Sequence, residues 1–281
     1  MKPGLLKYLL CIAVFAALPL SCAGVPSSVT PPGIATDTDN STATTVVPQA
    51  ETAAENQTTA GAITALLKAD DYDRAIGEAN AALVSNPQDL ILREKLADAY
   101  IARAWYYKVK RLNTYTLSDL YKAVEIAPQY YRVHYELGRF HNNQWQFGIG
   151  LFDLNKALSL KPDFAPAYNE RGYSNYKDRK YESALADVNK SIELDDTIPR
   201  SYCVRSLIYA AVGKPDLALE DADQAVRLAP DDAASYYNRS LVYTARGEAA
   251  PAVADLETTL RLSQDDLLTT RAGADLRALT K

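Results

Sequence analysis

Apolar residues recur along most of this chain at helical spacing, and the polar breaks between them recur as well. Pro87, Pro128, Pro162 and Pro230 each come after an apolar-periodic segment and precede a short polar turn. Pro128 and Pro162 are 34 residues apart, Pro162 and Pro230 are 68 apart, and Pro87 and Pro128 are 41 apart, seven more than one period. A fixed period in this range is the mark of a stacked helical repeat. Four contiguous blocks align without gaps, starting at Tyr131, Ala165, Pro199 and Ala233. Upstream, a block from Leu90 to Tyr130 carries seven extra residues, and a weaker block runs from about Asn56 to Asp89.

Each block predicts two helices. In the first, positions 4, 7, 8 and 11 share one stripe at 100° per residue, and positions 2, 5, 9, 12 and 13 share the opposite one. Large residues at 4 (His134, Tyr168, Tyr202, Tyr236) face small ones at 8 (Gly138, Gly172, Ser206, Ser240) and at 20 (Gly150, Ala184, Ala218, Ala252). The second helix buries positions 24, 28 and 30, such as Leu154, Leu158 and Leu160. Proline at 32 ends that helix because it lacks an amide donor, and Asp231-Asp232 or Asp265-Asp266 can cap the first helix of the next block.

This pattern of an aromatic at 4, a small residue at 8, tyrosine at 11, alanine at 20 and 27 and proline at 32 resembles the tetratricopeptide repeat (TPR) family over residues 56–266. The resemblance implies an all-α fold, a right-handed TPR superhelix or α-solenoid. Its repeats would be 56–89, 90–130, 131–164, 165–198, 199–232 and 233–266, six helix pairs, with a capping segment at 267–281. It also implies a non-enzymatic scaffold that docks a partner protein or peptide on its concave face. Departures are Asp196 and Gln264 at position 32 and Asn175 at position 11. The seven extra residues fall between Tyr100 and Ser118 in this register, and one added turn on each helix is expected, with Trp105, Tyr106 and Tyr107 at the base of the projection.

The first 56 residues have a different pattern. Lys2 and Lys7 precede thirteen uncharged residues, Tyr8 to Leu20, and then Ser21-Cys22-Ala23. That is a basic, apolar and small-residue order typical of an export signal, and it is too short for a span of about 20 residues. Leu20-Ser21-Cys22 resembles the lipobox of bacterial lipoproteins, although Pro19 stands where leucine is preferred; it implies a signal peptide over 1–22 and a lipid on Cys22. Ordinary cleavage after Ala23, giving a secreted soluble chain, is the competing reading. Residues 23–56 are rich in Thr, Ser and Pro and read as a disordered tether, leaving a solenoid over 57–281.

Composition narrows the function classes. The 281 residues are 48% hydrophobic with a formal charge of −5 and no basic tail, which argues against nucleic acid as a partner. Nineteen of the aromatics are tyrosine, against five Phe and two Trp, and the repeated aromatic slot accounts for the surplus. His134 and His141 occupy core slots, so a metal site is disfavoured. Cys203 has no base placed beside it, and the Gly148-Ile149-Gly150 run opens a helix rather than ending a strand, so no nucleotide-binding motif and no cofactor is expected.

Two ladders remain. Arg171, Arg205 and Arg239 recur at position 7, and Asp119, Asp153, Asp187, Asp221 and Asp255 at position 23. These read as structural ion pairs, formed either within a repeat or between neighbours. The stripe left over by packing carries Arg132, Tyr135, Arg139, Asn142, Asn143, Asn169, Tyr173, Tyr176, Lys177 and Arg200. Basic and aromatic residues without an acid suit a peptide groove for an acidic segment or a free C-terminus. In the last two blocks the stripe turns apolar (Leu207, Ala210, Ala211, Leu241, Ala245), which suits a self-assembling module instead. An enzyme is the least favoured reading.

Overall fold

The computed structural model describes residues 49–281, with side chains from Asn56 onward. The signal segment, Cys22 and most of the tether lie outside the described residues. Thirteen helices and no strand are present among the described residues: α1 (Gln49–Lys68), α2 (Tyr72–Ser85), α3 (Leu90–Val109), α4 (Asn113–Ile126), α5 (Tyr131–Asn143), α6 (Phe147–Leu160), α7 (Ala165–Lys177), α8 (Tyr181–Leu194), α9 (Pro199–Ala211), α10 (Pro215–Leu228), α11 (Ala233–Arg246), α12 (Ala249–Leu262) and α13 (Asp266–Leu279). Helix α1 begins inside the stretch assigned to the tether.

Each odd-numbered (A) helix pairs with the even-numbered (B) helix after it, and each pair stacks on the next. Consecutive A helices touch one another, whereas among the described residues consecutive B helices make at most a marginal contact. The A helices therefore line the inner wall of the curve and the B helices the outer. Positions 8 and 20 set the crossing inside each pair. Gly172 faces Val188 and the Ala184 carbonyl, and Ala184, Ala218 and Ala252 are fully buried.

The expected division of the seven extra residues is corrected. Helix α3 has 20 residues and α4 has 14, against 13 and 14 in the next pair, so the whole insertion lies in α3. It lies at the N-terminal end, over residues 90–96, where buried Leu92 and Leu96 pack on the first helix pair. From Ala97 onward the register is regular: Tyr100 takes position 4, Arg103 position 7, Ala104 position 8 and Tyr107 position 11. Seven residues are almost two helical turns, so a shift of seven returns the apolar stripe to within about 20° of itself. Periodicity alone cannot place such an insertion.

The first six A helices end in the same turn. Asp70, Arg111, Trp145, Arg179, Gly213 and Gly247 all have positive φ, and the amide of the next residue donates to the carbonyl five residues before it, as in Lys180 N to Asn175 O and Glu248 N to Tyr243 O. This is the Schellman closure of a helix C-terminus, in which glycine is the usual occupant. Left-handed backbone disfavours a side chain by about 1–2 kcal/mol. Arg179 is exposed with φ 59°, so Arg179→Gly is expected to raise stability by about 0.5–1 kcal/mol. Urea unfolding monitored by circular dichroism checks this, and a loss of stability would refute the strain argument.

Candidate functional site: the inner face of the A helices

The arginine ladder supports this face. Arg171, Arg205 and Arg239 each bind the aspartate of their own repeat, Asp187, Asp221 and Asp255, through two guanidinium nitrogens at 2.6–3.1 Å. The third nitrogen reaches back to the preceding B helix, at Asn155, Asn189 and Asp223 respectively. Arg103 makes the same fork to Asp119 and also touches Asp73, a partnership that the sequence hides because two registers of α3 fit the stripe. Pairing thus closes within the repeat, with a second bond between repeats. Tyrosines at positions 4 and 11 flank the guanidinium, as Tyr202 and Tyr209 flank Arg205 at 5.6 and 5.9 Å. That contact uses the negative ring faces and explains tyrosine's abundance better than volume alone.

The third repeat lacks the arginine, and His141 takes its place. His141 Nδ1 donates to Asp153 Oδ2 at 2.8 Å with both side chains buried, while His134 Nε2 donates to the Pro128 carbonyl. Both rings are engaged in packing, and no group of three metal-ligating side chains occurs among the described residues. The Cys203 thiol is pushed up to about 12, chiefly by burial, and so stays protonated at neutral pH. A neutral thiol is a poor nucleophile.

On the inner stripe the structure separates residues that the sequence groups together. Asn142 and Asn169 are buried. Asn142 donates to Glu170 and accepts from Ser174, and Asn169 donates to Ser201, so both tie neighbouring A helices together rather than facing a ligand. Asn143 is exposed. Arg132 pairs with Asp98 at 3.0 Å, Arg139 with Glu136 at 3.4 Å and Arg200 with Glu170 at 3.1 Å. Glu136 and Glu170 sit at position 6, beside the stripe rather than on it, which is why the stripe reads as free of acid. Burial raises the Glu136 carboxyl, against the opposing pull of Arg139 and Arg132. Trp105 Nε1 also donates to Glu136, and the Arg139 guanidinium lies 3.8 Å from the centroid of the Trp105 ring.

What remains for a ligand is aromatic. Trp145, Phe147, Tyr173, Tyr176 and Tyr181 form a continuous ladder with ring centroids 5.9–6.4 Å apart, and Tyr135 meets Phe164 edge-on at 5.0 Å. Lys177 has no carboxylate partner among the described residues; its ammonium faces Trp145 at 4.8 Å, Tyr173 at 5.5 Å and Tyr176 at 5.9 Å. Its pKa is lowered, first by burial and then by the neighbouring Arg271. Arg271 belongs to α13, which the curve of the array carries back to the early repeats: its guanidinium lies 5.7 Å from the Trp145 centroid, and Asp266 pairs with Arg111. No sequence signal marks this approach, because it depends on the accumulated curvature.

Antiparallel helix pairs repeating every 34 residues, with A helices lining the inner wall, define an α-solenoid of helical repeats. The family model described as tetratricopeptide repeat matches residues 204–266 of this chain, and solved structures share its architecture. A TPR protein from Parabacteroides merdae superposes with TM-score 0.59 at 16% identity, covering 80% of this chain and 86% of that one. The type IV pilus biogenesis factor PilW superposes at 0.57 with 17% identity, covering 77% and 97%. A chain of the Cut9–Hcn1 hetero-tetramer of the APC/C superposes at 0.63 with 14% identity over 80% of this chain, which spans only 43% of that one. At these identities the likeness is one of fold. The chain has no match among curated proteins. Repeats of this family and fold are generally non-enzymatic interaction modules.

Proposed function

We propose that this protein is a non-enzymatic scaffold of the bacterial cell envelope that docks a partner protein or peptide along the inner face of its A helices. The observation that carries this is the aromatic ladder from Trp145 to Tyr176, whose rings remain half-buried or exposed on the inner wall after packing is satisfied. Aromatic rings supply large contact area with few rotors to freeze, and a peptide laid across them is held by its side chains and backbone together. An acidic segment or a free C-terminus suits the inner-face cations. Envelope placement rests on the basic, apolar and small-residue order of residues 1–22, with a lipid on Cys22 and residues 23–56 as tether, at the outer membrane where the cell has one. Among the described residues no helix is long and apolar enough to cross a membrane.

Crosslinking in the native envelope, with recovery of the full chain, tests the reading. Wild type is expected to recover a discrete partner, and Tyr135→Ala with Tyr173→Ala to lose it while the helical signal is kept. Unchanged recovery would rule out the groove. Recovery of only further copies of the chain would favour self-assembly through the apolar stripe at Leu207 and Leu241. Radiolabelled palmitate should enter wild type but not Cys22→Ser.

A further inference from the structure

Helix α13 is held firmly on one side and loosely on the other. On the last repeat, Ala272 is fully buried and Asp275 accepts from the Tyr237 hydroxyl at 2.9 Å. Toward the early repeats its contacts are polar and open to water. Asp266 pairs with Arg111 at 2.5 Å, the two side chains 82% and 75% exposed, and the Arg271 guanidinium stands over the exposed Trp145 ring. Arg111 and Trp145 hold the same slot in successive repeats, the positive-φ turn after an A helix. Along α13, Ala272 is the one buried side chain, so no apolar seal backs these contacts. Arg271 also stands near Lys177, whose pKa burial and that like charge lower together, so part of the approach is repulsive. The array itself can give way: consecutive B helices barely touch, each junction between pairs can tilt, and small tilts sum along a solenoid.

We propose that α13 is an electrostatic strap: by bridging the last repeat to the turns after α3 and α5 it closes the circuit of A helices, and its release opens the inner wall to a partner arriving from the side. Exposed ion pairs add little net stability, so the closed and open forms lie within about tenfold of each other in population. Ionic strength is the control, because the contacts that close the circuit are solvent-exposed charges. The strap stands on its own geometry; its effect on partner access rests on the groove reading.

Pulsed electron spin resonance on the full chain in detergent reads the closure. Cys11, Cys22 and Cys203 are replaced by serine, and nitroxides are attached at Thr114→Cys in the first turn of α4 and Ala274→Cys on α13, both exposed positions. A short-distance population is expected at about 10 mM salt and should fall at least about twofold at about 1 M, as the Debye length shrinks from about 30 Å to about 3 Å. Arg111→Gly should lose that population at low salt, whereas Arg179→Gly, which relieves the same backbone strain two repeats further on, should keep it. Arg111→Asp should lose it as well, and adding Asp266→Arg should restore it. Distances that ignore salt, or that Arg111→Gly leaves unchanged, would overturn the strap. Access is judged by crosslinking in the native envelope, where Arg111→Gly should raise partner recovery about twofold or more over wild type. If Arg111→Gly opens the array but recovery stays at the wild-type level while Tyr135→Ala with Tyr173→Ala lowers it, the gate falls and the groove stands. If the tyrosine pair also leaves recovery unchanged, the groove reading falls and the gate with it.

Discussion

Arg239→Met is expected to lower the stability of the folded array by about 3 kcal/mol, because it leaves a carboxylate in the packing layer without its partner. Asp255 is 5% exposed and receives two of the guanidinium bonds, and the third goes to Asp223 in the repeat behind. Arg239 itself is about one-fifth exposed, which places the loss at the lower end of the range for broken buried pairs. The companion variant Arg239→Met with Asp255→Leu should recover most of the loss, since replacing both charges by apolar groups is often neutral. Chemical unfolding of wild type, both single variants and the double variant gives the coupling directly. A loss below about 1 kcal/mol for Arg239→Met would mean that water, rather than arginine, stabilises Asp255 in the fold.

Gly150→Val should be at least as damaging, with an expected loss above about 3 kcal/mol or failure to fold, because the added atoms meet backbone and a buried amide that can move only by breaking its hydrogen bonds. A Cβ there would collide with the Asn142 amide and stand 3.0 Å from the backbone oxygen of Gly138. Across the same crossing, a Cβ on Gly138 would lie 2.8 Å from Leu154 Cγ and 3.1 Å from the Gly150 oxygen. Helices α5 and α6 thus approach glycine to glycine, with no Cβ on either side of the crossing. Asn142 would have to give up its bonds to Glu170 and Ser174, so the damage should spread to α7. Gly148, two residues earlier, meets nothing within 4 Å, and Gly148→Ala should be neutral or stabilising by up to about 1 kcal/mol. If both substitutions behaved alike, helix propensity rather than close approach would be the governing term.

Much of the architecture is legible in the sequence because it repeats locally. The small residues at 8 and 20, the caps at Asp232 and Asp265 and the aspartates at 23 each concern one helix pair, and the structure places them accordingly. The register of α3 escapes because two helical turns nearly restore the pattern, so Leu96-Ala97 and Arg103-Ala104 both satisfy the stripe. The acids at position 6 escape because ion pairing depends on side-chain reach, not on the boundary of a helical stripe. Glu170 reaches across to Arg200 of the next A helix, and Glu136 to Trp105 of the previous one. Arg271 escapes for a third reason: its neighbours lie about a hundred residues away and are brought near only by the summed rotation of every intervening pair.

The arginine fork also bears on how such an array can change length over generations. Since Arg171 meets Asp187 inside one 34-residue unit, and likewise Arg205 meets Asp221, duplicating or excising a whole unit carries both charges together and strands neither. The backward bond tolerates the same event, because Asn155, Asn189 and Asp223 occupy one equivalent place and any of them can receive the arginine that arrives. A gene encoding this solenoid could gain or lose units of 34 without first passing through a chain that cannot fold.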